Sequence, residues 1–214
     1  PFEKDFYNEY NVDAQYVGHP LLDSISKTKQ TSKLSFTRQN KLNAKKEIIA
    51  LLPGSRKQEV SRMLKVMLKV VDQFPNYQFV VGCAPSLPLS YYKSIIGDAN
   101  VRLVVNKTYQ LLQVSSAAVV TSGTATLETA LFYVPEVICY KGNPISYLIA
   151  KNLINVKYIC LVNLIMDRPV VKELIQNDLT PDNIADELRL LLTNHKRQRQ
   201  LLDDYEELRM ILGK

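Results

Sequence analysis

Residues 118–140 read AVVTSGTATLETALFYVPEVICY, and their pattern decides the fold. An apolar run, Ala117–Thr121, is followed by three small residues, Ser122-Gly123-Thr124. A helical stretch comes next, then a second apolar run, Glu136–Tyr140. The order is strand, turn, helix, strand. In open α/β sheets ligands bind at the edge where a parallel strand feeds a helix. Gly123 permits positive φ and close backbone approach. The hydroxyls of Ser122 and Thr124, with the N–H groups of a helix start, suit an anion such as phosphate. Glu128 follows Thr124 by four residues and shares its helix face. A carboxylate repels phosphate but accepts hydrogen bonds from both hydroxyls of a vicinal diol. Phosphate plus diol describes a nucleotide. An N-capped amphipathic helix with an acidic first turn reads the same residues without a ligand, and these residues alone leave both readings open.

The chain has 214 residues, 46% hydrophobic and 22% charged, with a formal net charge of +6. That is enough for one sizeable domain or a domain with an appendage. The richest apolar region, Ile145–Met166, is interrupted by Lys151, Asn152, Asn155, Lys157 and Asn163, so no membrane span is expected. The opening PFEKDFYNEY is acidic without an apolar centre, which excludes a signal peptide; lacking an initiator Met, it reads as a fragment or a processed chain. Cys83, Cys139 and Cys160 are odd in number and lack CxxC spacing, so buried reduced thiols in a cytoplasmic protein are expected rather than disulfides or a metal site. The positive charge fits nucleotide phosphates, an anionic membrane surface or nucleic acid equally.

Taken in order, the N-terminal ten residues suggest an amphipathic turn of helix and Gln15–Val17 a short strand. His19 precedes Pro20 and reads as a structural histidine at a strand end. Ser26–Lys46 carries seven basic residues and no acid, the composition of a solvated connection. Glu47–Leu52 predicts a strand, Pro53-Gly54-Ser55-Arg56 a sharp turn, and the residues through about Phe74 a helix. The turn is neither GxxxxGK[ST] nor GxGxxG. Arg56 is placed for bidentate contact with phosphate, although alone it reads as a solvent-exposed residue at a helix start. Strands are expected at Tyr77–Gly82, Val101–Val105 and Tyr158–Leu161, with helices at Ser90–Ile96, Thr108–Ser115, Ile145–Leu153 and Asn183–Leu192. Val162–Asp167 reads as a polar-tipped loop. Strand and helix alternate throughout, the pattern of an α/β, doubly wound parallel sheet. Both glycine turns then lie on one rim, so Arg56 and Ser122–Thr124 are expected to act together. The final helix, Lys196–Leu212, carries Leu201, Leu202, Tyr205, Leu208 and Leu212 on one stripe and must pack on its own domain or on a partner.

VGHPL (Val17–Leu21), LLPGSR (Leu51–Arg56), SGTATLETAL (Ser122–Leu131) and YLIAK, YICLVNLI and KELIQ between Tyr147 and Gln176 together resemble the lipid-A-disaccharide synthase family. Their order and spacing match over nearly the whole chain. The resemblance implies the C-terminal, nucleotide-binding half of a GT-B glycosyltransferase, Rossmann-like with C-terminal helices. Residues 1–194 would bind a UDP-sugar and residues 195–214 form the appended helix. It implies transfer from UDP-2,3-diacylglucosamine to 2,3-diacylglucosamine 1-phosphate with inversion and no required metal or other cofactor. Gly54, Ser55 and Arg56, with Ser122, Gly123 and Thr124, would hold the diphosphate, and Arg56 would stabilise the leaving group. Glu128 would take the ribose diol, and Asn163, Glu173 and Gln176 the donor pocket. The acceptor site and general base belong to an N-terminal half that the resemblance does not cover. His19 comes nearest to a base, and its place is the junction of the two halves. The chain alone is therefore expected to bind donor weakly without turnover. A cytoplasmic location at the inner membrane face, an anionic membrane surface, a lipid acceptor and a homodimer are further implications.

Two other readings fit the pattern. One is a nucleotide-sugar epimerase of the same fold, for which acid and base residues are hard to find here. The other is a non-catalytic nucleotide-binding module docking through its basic connection and last helix. Nucleic acid is not expected as a partner, because no helix-turn-helix, RRM or zinc pattern is present.

Overall fold

The computed structural model describes residues 7, 10–142 and 157–213. The expected helix at Ile145–Leu153 and most of the N-terminal turn lie outside them. The cores of runs such as EIIALL and SSAAVVT, IIALL and AAVV, are apolar with no polar alternation, the signature of strands covered on both faces. They form β1 (Glu47–Leu52), β2 (Tyr77–Cys83), β3 (Val101–Val105), β4 (Ser115–Thr121), β5 (Glu136–Tyr140) and β6 (Lys172–Ile175). All pairings are parallel. The strand order is β3-β2-β1-β4-β5-β6, so the winding direction reverses between β1 and β4. The expected doubly wound sheet is present. Ile48, Ile49, Ala50, Leu51, Val80, Val81, Val119 and Val120 are wholly buried, and helices flank the sheet.

Several boundaries differ from expectation. Among the described residues Gln15–Val17 pairs with no strand, and His19 is instead the N-cap of the helix Pro20–Ser26, its Nδ1 accepting from Leu21 N at 3.2 Å. The basic connection contains a helix, Lys33–Gln39, capped by Ser32 and anchored by buried Phe36. Its Lys33 pairs with Glu47. The helix after β1 is Lys57–Leu68, with a separate 3-10 turn at Val71–Gln73. The helix expected over Thr108–Ser115 spans Thr108–Leu112, because Ser115 already begins β4. The largest correction concerns Tyr158–Leu161, which is not a strand. A helix, Leu161–Met166, replaces the expected loop, and the sixth strand is Lys172–Ile175.

Pro181–Thr193 starts two residues before the expected Asn183, with Thr180 Oγ1 accepting from Asn183 N and Pro at the first position. The last helix, His195–Gly213, buries Leu201, Tyr205, Leu208 and Leu212 against its own chain. Leu202 does not belong to that stripe and is 42% exposed. Arg168 fixes the helix from outside, donating to Asp204 at 2.7 Å and to Glu207. Among the described residues no helix is long and apolar enough to cross a membrane.

Candidate functional site

The register of the two central strands builds the site. Leu52 at the end of β1 lies beside Val120 of β4. Because the strands are parallel, the turns that follow them emerge side by side at the point where winding reverses. That is where α/β sheets of this order open a ligand crevice. A cavity of about 330 Å³ occupies it, lined among others by Gly54, Ser55, Arg56, Ser122, Gly123, Thr124 and Glu128. The two glycine turns are expected on one rim, and the structure brings them together with Glu128.

Gly54 is required by its backbone: its φ is +99°, and a Cβ there would also stand 2.8 Å from Glu59 Oε2, so the Glu59 side chain would have to shift. Glu59 reaches back to accept from Arg56 N at 3.3 Å and from Arg56 Nη1 at 3.2 Å, which tethers the turn to the first turn of its helix. The Arg56 side chain is 85% exposed. A solvated pair of this kind contributes about 0–1 kcal/mol, so a doubly charged ligand can draw the guanidinium away at little cost. At Gly123 a Cβ would meet nothing within 4 Å, and the turn presents open space to the cavity. The helix Thr124–Leu131 starts there, and the first N–H groups of a helix have no partner within it.

Charge in the cavity is mixed. Among the described residues Arg56 is the one cation lining it, against the carboxylates of Glu59 and Glu128. An anion would therefore rely on Arg56 and the two helix starts, and the carboxylates define where it would not sit. Glu128 is half-buried and accepts from Tyr109 Oη at 2.8 Å. Burial raises its pKa, and the tyrosine hydrogen bond opposes that rise. The hydroxyl of Ser122 is already used, donating to Ile159 O at 3.1 Å, and its N–H donates to Cys139 O at 3.0 Å.

Asn163, Glu173 and Gln176 do not line this cavity. Asn163 is buried, its amide bridging Val171 N and O at 2.9 Å each. The Glu173 carboxylate accepts from Ile159 N, Cys160 N and Asn163 Nδ2. These groups close the backbone around the 158–171 segment and, through Ile159, support Ser122 from behind. Gln176 has φ of 51° and a buried Nε2 with no partner among the described residues. His19 lies at the helix start described above, its N–H donating to Leu212 O, and does not line the cavity either.

The sequence reading missed Thr121, Thr108, Glu59 and Tyr109. Thr121 is 5% exposed, lines the cavity, and has a hydroxyl without a partner among the described residues. A polar residue closing an apolar strand, immediately before the small-residue turn, was the signal available. All three cysteines are buried and unbridged, and burial lifts the Cys83 thiol to about 12, so these thiols are inert.

An open parallel sheet in this order, with its crevice between two glycine turns, belongs to the Rossmann-like α/β class and has the form of a GT-B glycosyltransferase half. The chain matches the solved glycosyltransferase WaaG, involved in lipopolysaccharide biosynthesis, with a TM-score of 0.56 at 13% identity, over 97% of this chain and 56% of that one. It also matches a UDP-N-acetylglucosamine 2-epimerase with a TM-score of 0.60 at 16% identity, over 97% and 53%. Both likenesses concern the fold alone. A family model described as lipid-A-disaccharide synthetase matches residues 1–212, and the chain belongs to that family. A lipid-A-disaccharide synthase of Syntrophus aciditrophicus (strain SB) is 40% identical over 220 residues, covering all of this chain and 57% of the relative. The chain thus spans little more than half the length of that relative.

Proposed function

We infer that this chain is the donor-binding half of a glycosyltransferase of lipid A biosynthesis. In the whole enzyme it binds UDP-2,3-diacylglucosamine for transfer to 2,3-diacylglucosamine 1-phosphate. The observation that carries the reading is the cavity itself: in a member of this family, both glycine turns, Arg56 and Glu128 meet at the switch point of the sheet. The diphosphate sits against Gly54–Arg56 and Ser122–Thr124, and Glu128 receives the ribose diol. Asn163 and Glu173 act from behind the site, through the backbone they hold.

The acceptor's 6-hydroxyl attacks the sugar's anomeric carbon as the bond from that carbon to the diphosphate oxygen breaks. The hydroxyl proton passes to a base, the electron pair leaves with UDP, and configuration inverts to give the β-1,6 disaccharide. Charge accumulates on the departing diphosphate, where Arg56 and the helix starts lower the barrier without reorganising; the reading needs no metal or other cofactor. No lining residue of the cavity is placed as the base, and we assign that role to the part of the relatives that this chain does not cover. The chain alone then binds donor and does not turn over. The lipid substrates place the whole enzyme at the cytoplasmic face of an anionic membrane, with a homodimer as its expected form. Likeness to the epimerase extends to fold only.

The test is UDP release from UDP-2,3-diacylglucosamine in the presence of 2,3-diacylglucosamine 1-phosphate. The expected result is none from this chain alone and steady release when it is joined to the remaining part of a family member. A joined, folded protein that binds the acceptor yet releases no UDP would contradict the assignment.

A further inference from the structure

We propose that Tyr109 is a positioning residue for the nucleotide's ribose, acting through Glu128. The inference rests on the donor-site reading above. Tyr109 lies on the short helix Thr108–Leu112, one residue after Thr108, which lines the cavity. Its ring stacks at a tilt on Phe132, with centroids 5.2 Å apart, so the phenol is held from the side. Its Oη donates to Glu128 Oε1 at 2.8 Å. This contact joins residues 19 apart in sequence, on two elements that flank the cavity.

The hydrogen bond has two chemical consequences. First, it fixes the carboxylate plane, leaving Oε2 and the second lone pair of Oε1 to accept from a diol. Second, it acts against burial, which by itself favours the protonated acid. A protonated Glu128 would place a donor where two hydroxyl donors must be received. A phenol is suited to this role because it donates, is neutral, and is kept neutral by the same burial and by the carboxylate beside it. It therefore orients Glu128 without adding positive charge that would compete for the phosphates.

The experiment is calorimetric titration of this chain and three variants with UDP and with 2′,3′-dideoxy-UDP, which lacks the diol. Wild type is expected to prefer UDP, and Glu128→Gln to lose that preference. Tyr109→Phe keeps the ring and its packing, and thermal melting near that of wild type checks that it does. It is expected to weaken UDP binding by about five- to tenfold, the size of one ordinary hydrogen bond, because it acts through Glu128, while binding of the dideoxy nucleotide stays unchanged. The double variant should bind UDP no more weakly than Glu128→Gln alone, since both changes break one linkage. Equal losses for both nucleotides in Tyr109→Phe, or losses that multiply in the double variant, would overturn the proposal. If Glu128→Gln behaves as expected while Tyr109→Phe matches wild type, only the role of Tyr109 fails. If wild type shows no preference for UDP, the diol reading of Glu128 fails and the proposal falls with it.

Discussion

Glu136 shows at the residue scale what sequence reading misses. It opens β5, is 1% exposed, and neither carboxylate oxygen has a hydrogen-bond partner among the described residues. Burial raises its pKa well above 4.5, so the folded chain keeps it protonated while the unfolded chain ionises it near 4.5. The folded form then binds the extra proton, and stability falls as pH rises above about 4.5 until the folded pKa is reached. The slope approaches about 1.4 kcal/mol per pH unit. Glu136→Met removes the charge and keeps much of the volume, so its advantage in melting temperature should be larger at pH 8 than at pH 5. An advantage that does not change with pH would contradict a buried acid. Nothing in PEVICY marks that residue, since a charged residue at the start of a strand ordinarily points to water. Asn163 and Glu173 failed to reveal themselves for a related reason: an amide or carboxylate committed to backbone groups has the same composition as one waiting for a ligand. Gly54 and Glu128 were legible because turn geometry and helical spacing constrain them directly.

At the scale of elements, the last helix is held by the stripe Leu201, Tyr205, Leu208 and Leu212, all wholly buried. Leu208→Ala removes apolar volume from a closed contact and should cost about 2–5 kcal/mol, read as a loss in a urea unfolding midpoint. A change below about 0.5 kcal/mol would mean that the helix does not depend on this packing. The stripe was visible in sequence except at Leu202, which faces water one residue from Leu201. The segment around residue 160 was not visible. YICL is apolar, short and rich in β-formers, and such runs do not distinguish strand from helix by periodicity. Cys160 caps a helix there, its Sγ accepting from Asn163 N at 3.5 Å. The sixth strand instead uses KELI, whose charged residues suit the edge position it occupies.

For the molecule as a whole, alternating apolar runs and helical stretches carried the parallel sheet, and parallel strands carried the shared rim of the two glycine turns. The order of the strands was not readable, because which strands pair is fixed by contacts distant in sequence. That order places β1 beside β4, and the cavity follows from it. We propose that this cavity is a uridine nucleotide site, and calorimetric titration of the chain with UDP, with ADP as the control, decides whether it is. One UDP is expected to bind per chain at least about tenfold more tightly than ADP, a difference of about 1.4 kcal/mol. Equal affinity for the two nucleotides, or no heat from either with the chain folded, would contradict it.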